Sequence, residues 1–133
     1  MSAGLLDTSV VIDLRRLGEQ PHLLPDEAYV SALSMAEIVQ GPLFAASAAE
    51  RRSRDRIVLD AHRAFPQPLP FDAACVPAYQ SVAAATLEAG RHPRRRTLDL
   101  LIAATAHAHG LSLYTQNGDD VEHLTDLVTV VAV

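Results

Sequence analysis

The sequence predicts an α/β fold in which helices cover both faces of a mostly parallel central sheet of about five strands, a three-layer α/β/α arrangement. Three observations predict it. Short apolar runs alternate with helical patterns along the whole chain, and such alternation implies parallel strands joined by right-handed crossovers. The length of 133 residues suits one domain with a single core. The balance of 49% hydrophobic and 20% charged residues is that of a soluble globular protein.

Residues 3–6 read as a buried strand that ends at Asp7. Residues 8–17 place Val10, Val11, Leu14 and Leu17 on one helical face, with Thr8 or Ser9 as N-cap. Gly18, Pro21 and Pro25 mark a loop, residues 28–31 a second strand, and Ser34 the start of a helix that Gly41 and Pro42 interrupt. A long helix is expected over 46–65, ended by the PQPLP segment, and Leu69 with Phe71 suggests a brief third strand. Asp72 can cap a helix running to Ala89, which Gly90 closes. After the basic loop RHPRRR comes a helix over 97–109, closed by Gly110. A strand over 111–115, a turn at Asn117 and Gly118, a short helix toward Leu124 and a β-branched strand over 127–133 complete the chain.

Composition narrows the function classes. No apolar run approaches the ~20 residues of a membrane span, so no membrane partner is expected. The beginning of the chain lacks the basic start and cleavage site of a signal peptide, and the lone Cys75 has no disulfide partner, so a cytoplasmic location is expected. A net charge of -5 argues against a general nucleic-acid binder, but the charges are unevenly spread. All eleven basic residues are arginine, and nine fall in two clusters: residues 51–63, and Arg91 with Arg94, Arg95 and Arg96. The first reads as a solvated helix face beside Glu50, Asp55 and Asp60; Arg94, Arg95 and Arg96 read as contacts to phosphate, whose oxygens an arginine fork matches.

The acidic residues carry the chemistry. Asp7, Glu37, Asp99 and the TQNGDD group are separated by whole elements, yet a parallel sheet can bring them to one rim, beyond the carboxyl ends of its strands. Each has a structural competitor. Asp7 could cap a helix, Glu37 fits a capping box with Ser34, Asp99 suits a helix dipole, and Asp119 or Asp120 could cap the short helix. One of Asn117, Asp119 and Asp120 is expected to complete the site, with Asp119 preferred and Thr115 orienting its neighbours. Carboxylates gathered together need a cation, and oxygen donors without cysteine or histidine at ligand spacing select Mg²⁺ or Mn²⁺ over zinc. His107 and His109 diverge by about 200° on a helix and do not form a chelating pair.

In these motifs the chain resembles the PIN-domain ribonucleases, and within them the VapC toxins of type II toxin–antitoxin systems. The resemblance rests on LLDTSVVIDL, SALSMAEIVQG, RRRTLDLLIAATAHAHGLSLYTQNGDD and the apolar C-terminal strand, in the family's order and spacing, and spans nearly all of one domain, 1–133. It implies a PIN-like fold and a Mg²⁺- or Mn²⁺-dependent endoribonuclease that hydrolyses RNA with metal-activated water. It also implies a homodimer and a VapB antitoxin whose tail occupies the active-site groove. The family's acidic residues map onto Asp7, Glu37, Asp99 and the TQNGDD group, with Thr8 and Ser9 beside them. Two positions depart from it: Asn117 stands where many relatives carry an acid, and Val121 replaces the usual Phe. Ala45, Ala46 and Ala48 leave room for an apolar partner segment.

The alternative is a non-catalytic regulatory or protein-binding module, either a degenerate nuclease or a receiver-like domain. A receiver relies on a lysine near its phosphoryl group, and this chain has none. A haloacid-dehalogenase-like phosphatase needs an acid two positions after Asp7, where Ser9 stands.

Overall fold

Leu5 and Leu6 are neighbours on the first strand and face opposite ways, and that alternation sets up the layers. The structure, a computed structural model, describes residues 2–133, so residue 1 of the expected domain lies outside the described residues. Strand β1 (Ala3–Leu6) pairs in parallel with β2 (Glu27–Val30) and with β3 (Ser112–Thr115), and β3 pairs in parallel with β4 (Val130–Ala132). The order is β2-β1-β3-β4. Leu5 and Leu113 enter one core with Val82, Ile102 and Leu124; Leu6 and Tyr114 enter the other with Val10, Val30 and Ile38. Each fully buried leucine contributes ~1.5–3 kcal/mol.

The first core lies under α5 (Cys75–Glu88) and α6 (Thr97–Ala108). The second lies under α1 (Thr8–Ile12), α2 (Leu14–Leu17), α3 (Ala32–Gln40) and α4 (Ala48–Ala64). This is the expected three-layer α/β/α fold, with a sheet of four strands among the described residues. The missing fifth is Leu69, reduced to one parallel bridge with Ser31. Its N–H donates to Val30 O and its carbonyl accepts from Ala32 N, both at 2.8 Å. Pro66, Pro68 and Pro70 lack the donors that would extend the ladder. The last strand is shorter than expected because the N–H groups of Leu127 and Val128 turn back to Leu124 O.

Both helices of the first core end on a glycine in the left-handed region, Gly90 at φ +76° and Gly110 at φ +65°. Arg91 N–H then closes on Thr86 O, and Leu111 N–H on Ala106 O, satisfying carbonyls left open at each helix end. Gly4 is needed for another reason: a Cβ there would collide with the Tyr114 ring. No helix among the described residues is long and apolar enough to cross a membrane.

Several local expectations change. The helix expected over 8–17 breaks at Asp13, whose carboxylate accepts from Arg16 Nε and Gln116 Nε2, both at 2.8 Å. Asp7, rather than Thr8 or Ser9, caps α1 by accepting from Val10 N at 3.2 Å. Ser31, rather than Ser34, caps α3. Ser34 is buried within that helix, so Glu37 belongs to no capping box and its carboxylate is free for other partners.

Candidate active site

The chain leaves β1, crosses to β2 on one side, and later returns to β3 on the other, so strand order reverses between β1 and β3. A crevice opens there beyond the carboxyl ends of the strands. Asp7 follows the last residue of β1, and its N–H donates to Tyr114 O at 3.0 Å, which holds it against the end of β3. Asp99, in the first turn of α6, and Asp120, in the 3₁₀ turn Gly118–Asp120, face it across a small cavity. Thr115 and Asn117 complete the polar lining, over a floor of Ile102, Leu113 and Val121. The cavity measures about 20 Å³, enough for one water-sized occupant.

Neighbouring hydroxyls hold these acids in place. Ser9 Oγ donates to Asp7 Oδ1 at 2.5 Å and accepts from Gln116 N at 3.2 Å, tying the exits of β1 and β3 together. Thr8 Oγ1 donates to Glu37 Oε1 at 2.5 Å and lies 3.0 Å from Ser34 Oγ. Thr115 is buried, and its hydroxyl accepts from Asn117 N at 3.0 Å. Burial pushes the Asp99 carboxyl above the usual carboxylate range; Arg96 opposes this, and the like charges of Asp7 and Asp120 add to it.

The four expected acids are not gathered equally. Asp7 and Asp99 share the cavity, and Glu37 lies next to it, in an open groove that it lines with Arg95, Arg96 and Asp99. Asp119, the preferred fourth member, is exposed and off the cavity; its backbone carbonyl accepts from Arg91 Nη1 at 3.0 Å. Asp120 occupies the place instead, because the 3₁₀ turn rotates its side chain inward and that of Asp119 outward.

Arg96 also departs from expectation. Its Nη1 lies 2.9 Å from Asp120 Oδ2 and 3.7 Å from Asp99 Oδ2, so in this conformation it neutralises acids. The i,i+3 spacing of Arg96 and Asp99 carried that signal in the sequence. Among the described residues, no three acidic, histidine or cysteine side chains stand close enough to enclose an ion. In the other arginine cluster, Arg54 pairs with Glu50, while Asp60 pairs with Arg15 at 2.9 Å.

Comparison with known proteins bears on the family and the fold. The family model described as PIN domain matches residues 4–126. Over 100% of both chains, with 31% identity and a TM-score of 0.85, the protein is similar to a member of the VapBC family of toxin–antitoxin systems, VapBC-5 from Mycobacterium tuberculosis. A chain of FitAcB from Neisseria gonorrhoeae matches at 24% identity and a TM-score of 0.75, covering 95% of this chain and 94% of that one. A chain of VapBC-1 from nontypeable Haemophilus influenzae matches at 20% identity and a TM-score of 0.74, covering 98% and 97%. The last two speak to the fold alone. Among curated proteins no significant match is found. The match along nearly the whole chain, with acids gathered at the strand reversal, means that this chain belongs to the PIN domain family, in its VapC branch.

Proposed function

We propose that this chain is the toxin of a type II toxin–antitoxin pair and acts as a Mg²⁺- or Mn²⁺-dependent endoribonuclease. The observation that carries this reading is the shared cavity of Asp7, Asp99 and Asp120 at the strand reversal, with Glu37 beside it. Its donors are all oxygens, which suits a hard ion, and its volume suits a single one. In this reading Asp7, Asp99 and Asp120 hold the ion, and Glu37 approaches from the groove. Once bound, the ion would polarise a phosphoryl oxygen and make water a competent nucleophile at neutral pH.

The chain's own residues prepare the site. Ser9 donates to Asp7 and Thr8 to Glu37, so each carboxylate has a hydroxyl that orients it, and a bound ion would draw the acids the remaining distance together. The apolar floor of Ile102, Leu113 and Val121 limits bulk water. With a cation bound, Arg96 would be free to turn from the acids to the phosphate, while Arg94 and Arg95, exposed and without ion-pair partners among the described residues, would meet the RNA backbone.

Restraint by a VapB-type antitoxin is part of the proposal. A groove of about 720 Å³ between α1–α2 and α4, lined by Ile12, Leu14, Ile57 and Ala64 with Arg15, Arg56, Asp60 and Arg63 among them, can take an amphipathic segment. Leu43 and Phe44, both largely exposed, offer further apolar surface next in the chain to Ala45, Ala46 and Ala48. A basic antitoxin tail then competes with Arg96 for the acids. A homodimer is proposed on the resemblance alone.

The test is RNA cleavage by the purified protein. Cleavage is expected with Mg²⁺ or Mn²⁺, none in EDTA, and none by Asp99→Ala. No cleavage with any divalent ion would favour the non-catalytic module, which the Arg96 contacts with Asp99 and Asp120 also suit.

A further inference from the structure

A second cavity, of about 410 Å³, lies on the other side of Asp120 and Arg96, between the end of α5, the basic turn Pro93–Arg96 and the 3₁₀ turn Glu122–Leu124. Arg91, Arg95 and Arg96 line it, with Asp120 as the one carboxylate. In a chain of net charge -5 this is a local reversal of sign.

Its cations are differently committed. Arg91 is a strut: Nη1 donates to the carbonyls of Asp119 and Asp120 at 3.0 and 3.2 Å, and Nη2 to Glu122 Oε1 at 3.0 Å. Arg96 faces Asp120. The Arg95 side chain has no hydrogen-bond or ion-pair partner among the described residues, and it lines both this cavity and the groove that holds Glu37 and Asp99. His92 Nδ1 accepts from Arg94 N at 3.2 Å, so its neutral ring carries the proton on Nε2 as a donor. At the floor, Thr86 Oγ1 donates to Val82 O at 2.8 Å, so His123 Nε2, 2.9 Å away, must donate to Thr86. That leaves His123 Nδ1 an acceptor, buried without a partner among the described residues, so the ring borders the cavity but offers a phosphate oxygen no donor.

We infer that this cavity is a phosphate-binding subsite that holds a nucleic-acid phosphate adjacent to the one cleaved, with Arg95 as its principal fork and His92 as a further donor. The inference rests on the nuclease reading and names a recognition site for it. Continuity supports the assignment: Arg95 and Arg96 border both spaces, so one strand can run from the basic cavity to the acids. Arg95 is thus a binding and positioning residue for the strand, and Arg91 shapes the wall by holding residues 119–122.

The test uses the full chain in EDTA with a short fluorescein-labelled single-stranded RNA, measured by anisotropy. Arg95→Gln is expected to weaken binding roughly tenfold and to lower the log–log salt slope by about 0.7, the share of one single-strand phosphate. Arg95→Lys recovers part of the loss, and Arg51→Gln, on exposed α4, changes neither quantity. With metal, Arg95→Gln raises KM and leaves kcat nearly unchanged. In NMR titrations the RNA shifts the ring signals of His92 and His123, and inorganic phosphate does so only at far higher concentration. The inference is overturned if Arg95→Gln behaves as Arg51→Gln does in a protein that binds and cleaves RNA. It is also overturned if inorganic phosphate matches RNA, which would make the cavity a free-anion site. A wild-type chain that neither binds nor cleaves RNA sinks the nuclease reading itself.

Discussion

The guanidinium of Arg96 stands against Asp120, Nη1 to Oδ2 at 2.9 Å, and reaches Asp99 at 3.7 Å, so the chain supplies its own counter-ion to the acids it gathers. Arg96 and a divalent ion therefore compete for the same oxygens. Arg96→Gln is expected to bind Mn²⁺ several-fold more tightly than wild type by isothermal titration calorimetry, and to melt lower without metal and recover with it. Weaker Mn²⁺ binding would remove Arg96 from that competition.

Adjacent acids should behave very differently. Asp120 lines the cavity, whereas the Asp119 side chain faces solvent and only its carbonyl is engaged. Asp120→Asn is expected to lower metal-dependent cleavage by roughly a hundredfold or more, and Asp119→Asn to stay near wild type. Equal losses would mean the 3₁₀ turn rearranges when the site is loaded.

Thr8 touches no expected substrate, but it aims Glu37. Thr8→Val should lower kcat roughly tenfold while costing only about 1 kcal/mol of stability, and Thr8→Ser should restore kcat. Wild-type kcat in Thr8→Val would show that Glu37 needs no such hold.

Burial, and then the charge of Arg91, hold His123 below the usual imidazole range, with Glu122 opposing. As pH falls, the unfolded chain takes the proton first. Stability from this residue is therefore complete above about 6.5 and declines as pH falls from there toward the lower folded value. Chemical denaturation across that window should show the slope, and His123→Gln should flatten it. Asp99 acts in the opposite direction at lower pH: its raised carboxyl costs stability once ionised.

The fold was readable because it rests on simple periodicities: alternating Leu5 and Leu6, the helical spacing of Val10, Val11, Leu14 and Leu17, and glycines where helices stop. What stayed hidden depended on competition between neighbours. The sequence put the helix start at Ser34, but Ser31 has the same capping chemistry, and only the structure shows it both bridging Leu69 and capping the helix. Asp119 and Asp120 differ by one step of a tight turn, which composition does not resolve. Arg96 could face phosphate or acid, and without a ligand the nearer carboxylates win. The basic cavity joins Thr86, Arg91, Arg95 and His123 from separate elements, with no local motif to announce it.

Anomalous diffraction from a crystal soaked in Mn²⁺ reaches the central question most directly. A peak within coordinating distance of Asp7, Asp99 and Asp120, with Arg96 swung away, is the expected result. Saturating Mn²⁺ that leaves this cavity without a peak, or a peak held by other residues, would contradict the account.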